Sequence, residues 1–334
     1  MTDTNLQIRL VRRPTGLPSP EDFEIGEAPL PDPGEGEVLV ANHYLSLDPA
    51  MRGWMKEGRS YIPPVELGDV MRGGTYGEVL RSNHPTLAPG DRVVGMLGWQ
   101  SHALSKGDDL YRVPPEVTGP QALGVLGMTG LTAYFGLLDV GRPQEGDTLL
   151  VSGAAGATGS VVGQIGKLMG CKVIGVAGTE AKCAWLTEEL GFDGAINYRT
   201  SPDLTKAVYQ ATGGKIDVYF DNVGGEMLDS ALACLNRGAR VVVCGAISQY
   251  NSDSATGPAN YLSLLVNRAR MEGFIVFDYA PRYDEARVEL SRWVQEGKIK
   301  HREEIVDGLR NAPQAILRLF DGNKQGKLLI RIGS

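Results

Sequence analysis

The chain has 334 residues, with 33 Lys and Arg against 40 Asp and Glu and a formal net charge of −7. At roughly 150 residues per domain that length suggests about two domains, each able to bury its own core. Hydrophobic residues make up 42% and charged residues 22%, with no run of five like charges, which excludes a disordered chain and a polybasic nucleic-acid or membrane-surface protein.

Residues 1 to about 125 carry short alternating runs (Gln7–Val11, Glu37–His43, Gly77–Leu80, Asp91–Gly95) joined by Pro- and Gly-rich turns, which predicts an irregular β barrel or sandwich. A helix is expected from Gly119 to about Val140, with Thr118 as its cap before Pro120. From Asp147 the texture changes. Strands are predicted at Thr148–Ser152, Lys172–Val176, Ala195–Tyr198, Ile216–Asn222, Ala239–Ala246 and Gly273–Phe277. Between them lie helices up to Met169 and over Lys182–Leu190, Asp203–Ala211, Met227–Leu235 and Ala259–Ala269. Six strands alternating with helices predict an α/β unit, a doubly wound parallel sheet of right-handed βαβ units. Helices Asp284–Glu296 and Ala312–Leu319 and strands near Glu304–Val306 and Lys327–Ile332 follow. Their β character predicts that the chain returns to the first domain, with boundaries at 1–125 plus 298–334 and at 126–297.

Glycine is abundant, 44 residues where about 7% is usual, and it concentrates at one informative place. Thr148–Gly170 reads as a strand, a GxxGxxG loop (Gly153, Gly156, Gly159) and a helix. Glycine there gives a tight turn and close backbone approach, and a helix N-terminus offers N–H groups to a pyrophosphate. A protein selecting NAD places Asp or Glu at the tip of the second strand for the ribose 2′-hydroxyl. Here the second strand ends Val173-Ile-Gly-Val-Ala-Gly178-Thr179 with no acid at its tip; Glu180 comes late and Lys182 follows. Lys182, Thr179 and Tyr198 suit a 2′-phosphate, so the expected cofactor is NADPH. Lys182 also reads as an ordinary solvated helix lysine.

Zinc-dependent alcohol chemistry would need Cys and His ligands with one open position. The first 150 residues hold no cysteine, and His43, His84 and His102 are scattered, so no metal is predicted. Cys171, Cys183, Cys234 and Cys244 show no CxxC spacing. With no apolar leader segment and no run of 18 apolar residues, this predicts a soluble cytoplasmic protein with no membrane span.

Seven segments, in order over nearly the whole chain, carry a resemblance: Tyr44–Met55 (YLSLDPAMRGWM), Ser60–Gly74 (SYIPPVELGDVMRGG), Leu126–Gly136 (LGMTGLTAYFG), Ala154–Lys167 (AAGATGSVVGQIGK), Asn197-Tyr198, Asp221–Gly225 (DNVGG) and Cys244–Asn251 (CGAISQYN). The chain resembles the zinc-free branch of the medium-chain dehydrogenase/reductase superfamily, in particular the leukotriene B4 12-hydroxydehydrogenase/prostaglandin reductase and bacterial curcumin reductase-like group. The resemblance implies a GroES-like catalytic domain flanking a Rossmann domain, a homodimer, and NADPH-dependent reduction of the carbon–carbon double bond of α,β-unsaturated ketones and aldehydes. It also implies NADPH contacts at Gly156, Ala157, Thr158, Gly159, Lys182, Tyr198, Asn222, Cys244, Gly245, Ala246, Ile247, Ser248, Gln249, Tyr250, Phe274, Ile275 and Val276. Tyr61 and Tyr250 match tyrosines placed near the substrate carbonyl and the nicotinamide ribose, and Trp99 and Gln100 match substrate-wall positions. One departure is Lys324-Gln325-Gly326-Lys327, where the family shows Asn-x-Gly-Lys.

Hydride addition to the β-carbon of an enone pushes negative charge onto the carbonyl oxygen, and preorganised hydroxyl donors suit that oxygen. Tyr250, after the fifth strand, and Tyr61, from the other domain, are the expected donors; each also reads as an ordinary half-buried aromatic. Tyr44, Trp54, Tyr61, Trp99 and Tyr134 read as an apolar wall for a planar substrate or, singly, as core. Arg52 reads as an anion contact or a salt bridge to Asp48. The competing functions are an NADPH-dependent quinone oxidoreductase and an NADPH-binding protein without turnover.

Overall fold

The computed structural model describes residues 4–252, 254 and 256–333; residues 1–3 and 334, the extreme ends of the expected first domain, lie outside them. The chain forms two compact units, one taking the chain up to Gly124 and again from Glu303, the other being Val125–Arg302. The second crossing comes later than position 298. Lys300 is bonded to the buried Gln164, its N–H donating to Oε1 and its carbonyl accepting from Nε2, both at 2.8 Å. The Arg302 guanidinium lies 5.1 Å from the centre of the Trp185 ring.

In the first unit β1 (Thr4–Leu10) and β2 (Phe23–Pro29) form an antiparallel ribbon. There follow β3 (Val38–Ser46), the single turn α1 (Met51–Trp54), β4 (Thr75–Ser82), β5 (Arg92–Gly95), β6 (His102–Ser105), β7 (Tyr111–Arg112) and α2 (Gly119–Leu123). Thr118 caps α2, its Oγ1 accepting from the Gln121 N–H. The long helix expected over 119–140 is broken there. Gly124 (φ −102°, ψ −108°) and Gly127 (φ −104°, ψ −154°) take backbone angles that no helix contains.

The second unit begins with α3 (Met128–Phe135), prolonged by a wider turn over Gly136–Gly141. Then come β8 (Thr148–Val151), α4 (Ala157–Leu168), β9 (Lys172–Ala177), α5 (Glu180–Ala184), β10 (Gly194–Asn197), α6 (Leu204–Thr212), β11 (Ile216–Asp221), α7 (Gly225–Leu232), β12 (Leu235–Val243), α8 (Leu262–Asn267), β13 (Arg270–Gly273) and α9 (Tyr283–Gln295). The six strands are all parallel in the order β10-β9-β8-β11-β12-β13. Such a sheet has both faces covered, which is why β8 is buried at all four residues and reads as a continuous apolar run. The sixth strand falls three residues earlier than expected. Phe274 leaves it and packs edge-on against Phe220 and Tyr279, at 6.5 and 6.3 Å. Helix α8 is shorter than the expected 259–269, being stopped by Arg268 in the left-handed region (φ +52°).

The chain then returns to the first unit with β14 (Glu303–Asp307), α10 (Ala312–Ala315) and β15 (Lys327–Arg331). Strand β15 pairs with Tyr44–Ser46 of β3, while β6 pairs with Val38–Ala41 of the same strand. The sheet order is β14-β15-β3-β4-β5-β7. Its core gathers Ile8, Leu45, Met51, Trp54, Trp99, Ile316 and Ile330.

Candidate cofactor and carbonyl site

In the second unit the strand order reverses at β8, which lies between β9 and β11. Register brings the strand ends level: Val151 stands opposite Gly175 and Phe220, Asp221 opposite Val243, Val243 opposite Gly273, and Ala177 opposite Asn197. The segments that follow therefore share one edge, the place where open α/β sheets take ligands. On it lie Gly156–Gly159, Lys182, Tyr198, Asn222, Cys244–Tyr250 and Phe274–Val276.

The glycine loop is built by exclusion. Gly153 has φ +58°, and a Cβ on Gly159 would stand 2.5 Å from the Gly153 carbonyl oxygen, so no other residue fits without displacing the turn. Gly156 is the extended residue before α4, its N–H donating to the Gly153 carbonyl and its carbonyl accepting from Ser160, both at 3.0 Å. Among the described residues no side chain caps α4. Its first-turn N–H groups and positive dipole end suit an anion.

Beside this loop stands a buried polar cluster built on Asp221, the first residue of the Asp221–Gly225 segment. Asp221, 1% exposed, accepts at Oδ1 from Tyr219 Oη (2.7 Å), Gly224 N (2.9 Å), Ser152 Oγ (3.0 Å) and Val223 N (3.0 Å). Its carbonyl accepts from the N–H groups of Cys244 and Gly245 at 2.9 and 3.1 Å. Asn222 donates from its backbone N–H to Ser152 Oγ (2.9 Å) and from Nδ2 to the Ser152 carbonyl (2.7 Å). One carboxylate thus ties the loops after β8, β11 and β12 together. Burial, with the charge of Asp221 adding to it, pushes the Cys244 thiol up to about 12 and the Tyr219 phenol well above its ordinary value. Two sequence signals point to it: the Asp221–Gly225 segment, and the position of Ser152 and Asp221 where strands end.

At the tip of β9, Thr179 caps α5, its Oγ1 accepting from Lys182 N at 3.3 Å. Glu180 is turned to β10, accepting from Asn197 Nδ2 at 2.6 Å, so its carboxylate is engaged away from the position an NAD-selecting acid holds. The Tyr198 ring lies over Gly178, where a Cβ would meet it at 2.9 Å. The Arg199 guanidinium sits 5.8 Å from the centre of that ring.

Beyond β12, the Tyr250 oxygen accepts from the Ala246 N–H at 3.3 Å across the turn Ile247–Gln249. The turn is braced by Ser248 Oγ donating to the Val223 carbonyl (2.6 Å) and by Gln249, whose Nε2 donates to the Thr256 carbonyl (2.9 Å) while Oε1 accepts from Thr256 N (2.8 Å). Ile275 is half-buried, and Val276 is buried.

In the first unit Tyr61 is 51% exposed and its oxygen accepts from Trp54 Nε1 at 3.0 Å. Partial burial of the phenol lifts its pKa, the Trp54 bond lowers it, and Asp48 and Arg72 push up and down respectively. Trp99 and Gln100, expected at the substrate wall, are both engaged within the first unit. Trp99 is wholly buried, its ring stacked on Phe23 at 5.2 Å, because the ribbon β1–β2 covers it. Gln100 spends its amide within the unit, accepting from Asn5 (2.9 Å) and Gln7 (3.1 Å) and donating to the Leu97 carbonyl (2.7 Å). Of the other expected aromatics, Trp54 is core of the first unit, and Tyr134 belongs to α3 in the second, against Phe135 and Trp293. Arg52 donates to the carbonyls of Gly16 and Pro14, both at 3.0 Å. Asp48 instead pairs with the buried Lys327, Nζ to Oδ1 at 2.6 Å. Lys324 donates to the Gly326 carbonyl at 3.0 Å.

Two family models match the chain, one described as the N-terminal domain of oxidoreductase over residues 6–113 and one as a zinc-binding dehydrogenase over 157–293. Zinc does not fit the residues present. Among the described residues no group of three or more His, Cys, Asp or Glu could hold a metal. The chain is 47% identical to the NADPH-dependent curcumin reductase of Escherichia coli (strain K12), covering 97% of this chain and 95% of that protein. It is 38% identical to the 2-alkenal reductase (NADP(+)-dependent) of Nicotiana tabacum, covering 98% of each. The crystal structure of CurA in complex with NADPH from Vibrio vulnificus superposes with a TM-score of 0.93 at 44% identity, covering 98% of this chain and 99% of that one.

Proposed function

The chain belongs to the medium-chain dehydrogenase/reductase family, and from that premise we propose that it reduces the carbon–carbon double bond of α,β-unsaturated ketones and aldehydes with NADPH. The observation that carries this reading is the single sheet edge on which the glycine loop, Lys182, Tyr198, the Asp221-braced turns and Tyr250 stand together, with Glu180 engaged elsewhere.

Bound NADPH supplies the hydride. The N–H groups at the start of α4, admitted by the glycines, hold the pyrophosphate, and Lys182, Thr179 and Tyr198 hold the 2′-phosphate. Asn222 and Cys244–Tyr250 line the nicotinamide side, and Phe274–Val276 border it. The substrate carbonyl oxygen gains charge as its double bond is reduced, and the phenols of Tyr61 and Tyr250 donate to it; a neutral donor in a water-poor site is worth about 3 kcal/mol. No step runs through a metal.

The enzyme acts in the cytoplasm as a homodimer. The four cysteines stand as free thiols, three of them buried, which suits a reducing compartment, and no helix among the described residues is long and apolar enough to cross a membrane. The dimer is supported by β13, the outer strand of the sheet, exposed along its whole length, beside the apolar face of α8.

The test is NADPH consumption over enones, enals and quinones, with products identified. The expected result is a saturated ketone or aldehyde with its carbonyl intact. Turnover of quinones alone, or NADPH binding with no turnover of any enone, overturns the reading.

A further inference from the structure

Tyr61 sits on a long irregular segment between α1 and β4, an unpromising place for a donor that must be held in position. The structure shows what holds it. Trp54, at the end of α1 and 6% exposed, anchors its ring in the core of the first unit. Its Nε1 reaches the Tyr61 oxygen at 3.0 Å. Indole nitrogen only donates, so in this bond the phenol oxygen is the acceptor. On the same ring lies the Arg72 guanidinium, 5.8 Å from its centre, and Arg72 Nη1 donates to the Pro63 carbonyl at 2.9 Å. The Val65 N–H donates to the Trp54 carbonyl at 2.8 Å, closing the segment on its other side. Tyr61-Ile62-Pro63 is therefore pinned at both ends, by an indole and by the cation over it.

We infer that Trp54 is a positioning residue for the reduction, acting through Tyr61, and that Arg72 holds the indole and the Pro63 turn in place for it. The inference rests on the enone reading above. A donor chain N–H···O–H···O polarises along its length, so the indole also strengthens the phenol as a donor to the substrate oxygen. Neither Trp54 nor Arg72 needs to touch substrate or cofactor.

The test is a double-mutant cycle on the intact enzyme, with benzylideneacetone and NADPH as substrates. Trp54→Phe keeps an aromatic ring in the core and removes the N–H. It is expected to lower kcat about tenfold with KM for the enone changed less than about twofold, and to leave NADPH affinity unchanged. In a Tyr61→Phe background the same change is expected to cost nothing further. Arg72→Met, which spares the core, is expected to give a smaller loss of kcat that also vanishes in that background. Additive losses, or a fall in NADPH affinity matching the fall in rate, make Trp54 a packing residue and overturn the inference while the enone reading stands. No enone turnover by the unmodified enzyme overturns both.

Discussion

Asp221 shows how a single buried acid ties three loops of one sheet edge together. Four donors converge on its Oδ1, and two of them, Val223 N and Gly224 N, are backbone groups of the turn that leads into α7. Removing a buried charge partner leaves its donors unsatisfied, so Asp221→Ala is expected to cost about 3 kcal/mol of stability, read by urea unfolding, and to weaken NADPH binding as the Asn222 and Cys244 turns loosen. A stability within 1 kcal/mol of the parent would show that water replaces the carboxylate without loss. Lys182 makes the complementary case: on the proposed reading its effect belongs to the ligand. A lysine facing a 2′-phosphate contributes a charge-assisted bond that NADH cannot use. Lys182→Ala is expected to raise the NADPH dissociation constant about tenfold and to leave that for NADH unchanged. Equal losses for the two coenzymes would return Lys182 to the solvated surface.

At the scale of elements, α4 and its loop carry the strongest constraint. Because a Cβ on Gly159 would strike the Gly153 carbonyl, Gly159→Ala must open the turn, and at least a tenfold loss of NADPH affinity is expected by titration. The other end of α4 is fixed by charge. Lys167 Nζ lies 2.7 Å from Asp193 Oδ2, which also accepts from Val173 N at 2.7 Å. Burial raises the Asp193 pKa, but those bonds outweigh it and hold it below the usual carboxylate range. A folded-state pKa below the unfolded one contributes stability above the unfolded value, and that contribution disappears as pH falls through the folded one. Between about pH 5 and pH 3 Asp193→Asn is therefore expected to lose less stability than the parent; parallel acid limbs would dismiss the pair. These elements were legible in the sequence because apolar runs of four to six residues alternate with 3.6-period stretches. What escaped was whatever depends on a distant partner. Trp99 reads the same whether it lines a pocket or, as here, lies under Phe23. The Trp54–Tyr61 bond depends on the path of an irregular loop, and the shift of the sixth strand to 270–273 depends on Phe274 finding Phe220.

For the whole molecule, the chain order carries its own argument. Strands β14 and β15 complete a sheet begun before Val125, so the first unit closes only after residues 125–302 have been made. The second unit in turn leaves its last strand open. All four residues of β13 are exposed, and an outer strand of that kind offers unpaired backbone groups to a further strand. Next to it Tyr261, Leu262, Leu265 and Val266 present apolar surface, Leu265 being 75% exposed. A twofold partner is the economical way to cover both, since a self-complementary patch closes on one copy and leaves nothing to propagate. Sedimentation velocity is expected to give twice the chain mass of 35.9 kDa. Leu265→Glu combined with Val266→Glu is expected to yield the single chain while sparing NADPH affinity, because neither residue lies on the cofactor edge. A parent protein that sediments as one chain at micromolar concentration would refute the dimer, and a double variant that remains paired would move its interface away from α8.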